Sequence, residues 1–175
     1  MAPVGGLERS WHRVLAVLYG RLPLLSARAA RAWTSEESTE IPWSPARIQL
    51  REASVALVTS AGVHLKHDQR FDMENPEGDA SFRAIPGDTA LRDLMITHDY
   101  YDHRAADRDV NCVFPLERLR ELAGARMIGR VAARFIGTMG HILGAQERRL
   151  VTETAPGIAR LLVADGVDYV IAAPG

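Results

Sequence analysis

Cysteine is nearly missing from this 175-residue chain, where Cys112 stands alone. A single thiol excludes an internal disulfide framework and any cysteine-rich zinc site within the chain. Net charge is nearly missing too, at −1, so there is no overall electrostatic footprint for nucleic acid. Arg9, Arg13, Arg21, Arg28 and Arg31 are scattered along the N-terminal third and read as the polar faces of helices. Long apolar runs are absent. The stretch VLAVLYGRLPLL is interrupted by Arg21 and Pro23, well short of the roughly 20 residues that a membrane span needs. No small-residue cleavage site follows it, so no signal peptide is expected and cytoplasm is the default location. The first strand is not followed by G-x-G-x-x-G, and neither a Walker loop nor a G-x-S-x-G elbow occurs, which leaves nucleotide binding and hydrolase chemistry of that type without a motif. There is no internal repeat.

Hydrophobic residues make up 47% and charged residues 25%, the balance of a globular protein with one ordinary core. Two units are expected, a helical arm and Pro/Trp linker over residues 1–50 and a body over 51–175. In the arm, Leu7, Trp11, Val14, Leu15 and Leu18 recur at helical spacing and the Ala/Arg-rich 26–33 segment has good helix propensity. Pro42 and Pro45 then frame Trp43, the expected anchor of an extended segment. In the body, Val55 to Thr59 is an apolar, β-branched run without alternation, which suits a parallel strand covered on both faces. A long polar segment, HDQRFDMENPEGDASFRAIPGDTA, reads as a loop. Leu91 to Thr97 is a second candidate strand, PLERLRELAGA a helix opened by Pro115, MIGRVAARFIG a strand or edge element, GTMGHILGA a glycine-rich turn, Thr152 to Asp165 a helix, and Val167 to Ala172 a buried strand. Helix–strand alternation argues for an α/β fold, a largely parallel sheet with flanking helices in a Rossmann-like layered sandwich. In such sheets ligands bind beyond the carboxyl ends of strands. His64, His98 and Pro174-Gly175 follow three of the expected strands and are expected on one rim.

The densest chemistry lies in LMITHDYYDHRAADRDVNCVFP, residues 94 to 115. His98, Asp102 and His103 form a respectable coordination set for zinc or iron, with His64 as a possible fourth. T-H-D-Y-Y-D-H also stands one letter from a dinuclear hydrolase signature, with Tyr100 where a second imidazole is required. Acid/base work is a second option. The third is a loop whose side chains bond one another and the backbone. Asp107, Asp109 and Asn111 alternate like calcium ligands but lack the glycine and distal glutamate of an EF-hand. Cys112, beside Val113 and Phe114, is expected to be a buried, inert thiol. The glycines of GTMGHI leave backbone free to approach an anion.

Three segments, VALVTSAGVHLKHDQRFDMENPEGDASFRAIP, ITHDYYDHRAADRDVNCVFPLERLREL and GTMGHI followed by ETAPGIARLLVADGVDYVIAAPG, resemble in their order the selenoprotein B component of glycine/sarcosine/betaine/D-proline reductases. The resemblance runs over roughly residues 40 to 175, and the helices and Pro-Trp linker resemble the leader of shorter members. It implies reductive cleavage of a small amino acid or N-methylated derivative with dithiol electrons, other reductase subunits as partners, and no nucleic acid or membrane. It also implies a selenocysteine or cysteine nucleophile, with a pyruvoyl group on a partner subunit in some systems, and no cofactor in this chain itself. On this resemblance His64, His98 and His103 are the catalytic candidates, Asp102, Asp107, Asp109 and Asn111 the substrate-binding ones, and no metal is expected. An imidazolium is expected to hold the chalcogenide ionised. The family's redox motif would follow Gly175, so the chain is expected to be inactive alone, cut where an in-frame UGA codon is read as stop. Exposed Val170 and Ile171 would then favour homo-oligomers. The alternatives are a metal-dependent hydrolase using His98, Asp102 and His103, and a non-catalytic binding paralogue.

Overall fold

A computed structural model describes residues 43–175 and, before them, positions 11, 14, 15, 17, 18, 21, 22, 24 and 27. Trp11, Val14, Leu15 and Leu18 are helical, as their spacing predicts. Leu7, Pro42 and most of the 26–33 segment lie outside the described residues.

The body is built on β1, Ser54–Thr59, whose first four residues are buried on both faces of the sheet. On one side it pairs in parallel with β5, Arg130–Val131, and then β6, Arg134–Thr138. Ser54 pairs with Arg130 while Val58 pairs with Ile136, so β5 and β6 form one line interrupted at Ala132 and Ala133. On its other side β1 pairs in parallel with β7, Tyr169–Ala173. Asp168 pins the start of that pairing, its carboxylate accepting from the Ser54 N–H at 2.8 Å. The opposite edge is β3, Phe82–Pro86, antiparallel to β6. A separate antiparallel pair joins β2, Val63–Leu65, to β4, Leu94–Ile96. The α/β class with mostly parallel strands is therefore as the sequence pattern indicates.

Four helices flank the sheet among the described residues: α1, Arg104–Arg108; α2, Leu116–Gly124; α3, Gly144–Arg149; and α4, Ala155–Ala164. Between α3 and α4 the backbone widens into a π-helical turn, Leu150–Thr154. Pro156 has no N–H to give, which favours a ladder that shifts register there. Leu116 and Leu119 of α2 and Ile158 and Leu162 of α4 bury into the same core as Leu57, Ile136 and Phe135. Phe114 meets Phe135 edge to face at 5.7 Å. Removing so large a buried ring costs about 3–5 kcal/mol.

Several expectations are corrected. β3 emerges from what reads as a polar loop, because Ile85, fully buried opposite Phe135, anchors it as an edge strand against β6. Leu91–Asp93 is a 3-10 turn ahead of β4, and α1 interrupts the acidic loop. β7 is not buried: Val170 is 47% and Ile171 41% exposed. They point to opposite faces, so neither face of this strand is covered by the described residues. Cys112 is exposed, in a 3-10 turn that carries it away from the core that Phe114 enters. Trp43 is 85% exposed; the groove beside it, walled by Val163, Val167 and Tyr169, is too open to enclose an indole.

Candidate functional site at the carboxyl ends of the strands

β1 leaves the sheet at Thr59 and turns sharply at Gly62, whose φ of +73° suits only glycine. A Cβ there would lie 2.4 Å from the Thr97 carbonyl oxygen, so this close approach is what brings the end of β4 against the end of β1. His98 follows directly. Its ring is only 5% exposed and stands edge-on to Tyr101, with centroids 4.8 Å apart. The backbone N–H of Tyr100 lies 3.1 Å from Nδ1, and that of Gly140, just past β6, lies 3.2 Å from Nε2.

β7 delivers its end to the same place. The Ser60 N–H donates to the Ala173 carbonyl at 3.1 Å, and the Gly175 N–H donates to Ser60 Oγ at 3.3 Å. Tyr101 donates its hydroxyl to the Ala61 carbonyl at 3.1 Å, and burial, then Asp107, push its phenol well above the usual range. Over this rim lies the 66–81 loop. Phe71 and Met73 bury against Met139, and His141 stacks on Tyr100 at 3.7 Å while its Nε2 lies 3.0 Å from the Pro76 carbonyl.

Burial, reinforced by His141 and His103, lowers the His98 pKa to about 4, against a weaker opposing effect of Asp99. The ring is therefore neutral at physiological pH. An imidazolium at this position is not what the site provides, because desolvation outweighs the nearby carboxylate.

His64 does not share the rim. It sits inside β2, fully buried, with Nδ1 2.7 Å from the Leu65 carbonyl and Nε2 2.8 Å from Thr97 Oγ1. Desolvation lowers its pKa despite the Leu65 carbonyl. His103 Nδ1 is 2.8 Å from Asp107 but off the line of a hydrogen bond. Asp102 is gripped by Arg104 through contacts of 2.8 and 2.6 Å, which hold its carboxyl near 2. Asp109 accepts from the Asn111 backbone and side chain at 3.0 and 2.9 Å, and Asn111 Oδ1 accepts from the Glu117 N–H at the start of α2. These four polar residues are thus engaged within their own exposed loop. Among the described residues no three His, Cys, Asp or Glu side chains gather as a metal would require, so His98, Asp102 and His103 do not form one coordination set. Ser60, Tyr101 and His141 went unnoticed in the sequence as site residues; the signals available were a Ser-Ala-Gly turn after a strand and a histidine following the glycine of GTMGHI.

Residues 33–174 match the family described as glycine/sarcosine/betaine reductase selenoprotein B. The D-proline reductase subunit gamma of Acetoanaerobium sticklandii is 43% identical over 133 residues, covering 76% of this chain and 53% of that one. The sarcosine reductase complex component B subunit beta of Peptoclostridium acidaminophilum is 28% identical over 134 residues, 75% of this chain and 30% of the relative. The glycine reductase complex component B subunit gamma of Carboxydothermus hydrogenoformans is 29% identical over 133 residues, with the same shares. The chain spans about half the length of the first of these relatives and under a third of the other two. No solved structure matches it significantly. With the family match running from the linker through the whole strand-end rim, this chain belongs to the glycine/sarcosine/betaine reductase selenoprotein B family.

Proposed function

We propose that the chain is a component of a reductase complex acting on glycine, sarcosine, betaine or D-proline. In the overall reaction the substrate C–N bond breaks, the carbon gains hydrogen and the nitrogen takes a proton, leaving as a free amine or, for D-proline, staying tethered as the ring opens. A dithiol supplies the two electrons and ends as a disulfide. The attacking atom is the selenium of a selenocysteine or the sulfur of a cysteine, with a pyruvoyl group on a partner subunit engaging the amine in some systems. Cys112, the one thiol of this sequence, lies exposed on a turn away from the rim, so it is not that atom.

The observation that carries this is the convergence of Ser60, His98, Gly140 and Gly175 at one rim in a chain of this family. It supports a role as the socket in which a nucleophile and a small polar substrate meet. Exposed Val170 and Ile171 on β7 support coverage by another reductase subunit or a second copy. No helix among the described residues is long and apolar enough to cross a membrane, which agrees with a cytoplasmic complex.

The test is reconstitution. The complex purified through a tag on this chain, supplied with dithiothreitol, should consume one of the four substrates with one disulfide formed per C–N bond cleaved. A complex that assembles and turns over equally well without the chain would overturn the assignment.

A further inference from the structure

The hydrogen bonding of His98 does not close. A neutral imidazole has one N–H and one lone pair, yet both ring nitrogens face backbone N–H groups, at 3.1 Å from Tyr100 and 3.2 Å from Gly140. One of the two contacts sets a donor against a donor, in a place where the ring is 5% exposed. The ring is buried while Gly140 itself is exposed, so the conflict lies where a ligand can reach it from the surface, and a polar group left short of its partner marks a missing one. The Tyr100 N–H reaches Nδ1 through a local turn two residues on, so the lone pair belongs on Nδ1 and the proton on Nε2.

Nε2–H and the Gly140 N–H then converge, and among the described residues neither has a hydrogen bond to an acceptor. A third donor stands beside them. Ser60 Oγ already accepts from Gly175, and among the described residues nothing takes its O–H. A Cβ on Gly140 would fall 3.1 Å from the Ser60 carbonyl oxygen, 3.3 Å from Nε2 and 3.6 Å from Ser60 Oγ. All three donors therefore border one small space, and glycine is what leaves it open.

We propose that His98 Nε2–H, Gly140 N–H and Ser60 O–H form a cradle for the carboxylate of the amino-acid substrate. This rests on the reductase reading above. Glycine, sarcosine, betaine and D-proline differ at nitrogen and share the carboxylate, which is the group that fixed donors can hold in every case. Two adjacent N–H groups match the two oxygens of a carboxylate, and the hydroxyl supplies a further bond. Because the ring is neutral, the anion is held by directed hydrogen bonds; burial sets the ring's low proton affinity, with His141, His103 and Asp99, the ionisable groups facing it, as smaller influences. His98 acts here as a binding group.

Long-range proton–nitrogen NMR on the full chain with labelled histidine tests this directly. The expected result is the Nε2–H form of His98, and the Nδ1–H form overturns the cradle. Sodium acetate and D-proline should each move the Nε2 proton and the Gly140 amide and compete with one another, whereas pyrrolidine, which lacks the carboxylate, should move neither. Shifts with pyrrolidine alone, or none with acetate, refute it. His98→Ala should weaken acetate binding about tenfold or more, and His98→Gln, which restores an N–H donor, should recover part of that loss. If His98→Ala does not fold, the tautomer of the unaltered chain still decides. A complex that turns substrate over unchanged with His98→Ala would remove the cradle and leave the reductase function standing.

Discussion

His64 and His98 are the same residue type at similar burial, and their ring nitrogens face opposite company. His64 has a carbonyl at Nδ1 and a hydroxyl at Nε2, so Nδ1–H donates to Leu65 and Thr97 donates to the remaining lone pair. Every group is paired, and the ring ties β2 to the residue following β4. His98 faces two N–H groups and is left one acceptor short. Burial and depressed basicity are common to both and discriminate nothing. The sign of the hydrogen-bond partners does. A histidine whose valence closes within the fold is part of the framework, and one whose valence stays open waits for a ligand.

The largest expected effect separates the two by exchanging their consequences. His98→Ala in the assembled complex should raise the substrate concentration needed for half-maximal turnover about tenfold or more, with a smaller loss of folding stability than the matching change at His64. His64→Ala should instead destabilise by about 2–4 kcal/mol, through a cavity and orphaned partners, with turnover per folded molecule retained. Denaturant unfolding and steady-state kinetics on both variants check the pair. If His64→Ala inactivates a fully folded complex, the distinction fails.

A second test uses acid. Both rings have pKa values lowered in the native state, His98 from 6.5 to about 4. Between these values the unfolded chain binds more protons than the native one, so stability is full above about pH 6.5 and falls as pH drops towards 4. His98 accounts for about 3 kcal/mol of that fall. His98→Gln should flatten this limb and leave a residue due to His64; an unchanged slope would show that His98 titrates normally.

Smaller effects sharpen the contrast. Thr97→Val keeps the shape at position 97 but deprives His64 Nε2 of its donor, and should lower stability by about 1–2 kcal/mol without altering turnover. Smallest of all is Asp109→Ala. It loses an exposed cap on the turn before α2, which should barely move the denaturant midpoint, and the complex should turn over normally. A large loss of activity there would return the acidic loop to the site.

Much of the scaffold was legible because burial on both faces leaves a plain trace in sequence. Val55 to Thr59 could only be a covered strand, Pro115 and Gly124 bracket a helix, and helix–strand alternation implies a mostly parallel sheet. β3 and the β2–β4 pair were less so, since short edge strands are defined by partners far along the chain. The acidic loop misled for a related reason. Asp102, Asp109 and Asn111 are conspicuous as letters, yet each meets a partner within a few residues, and local pairing of this kind cannot be told from a ligand set by composition.

The sequence by itself determined the α/β class, the family, and the fact that chemistry gathers where β4 ends. Only the tertiary structure decided which of those residues hold the fold and which stand open to a ligand. The reason is physical. Strand-forming and helix-forming tendencies are local sums over neighbouring residues, whereas the state of His98 is set by a backbone N–H 42 residues away and by the desolvation that the packed rim imposes.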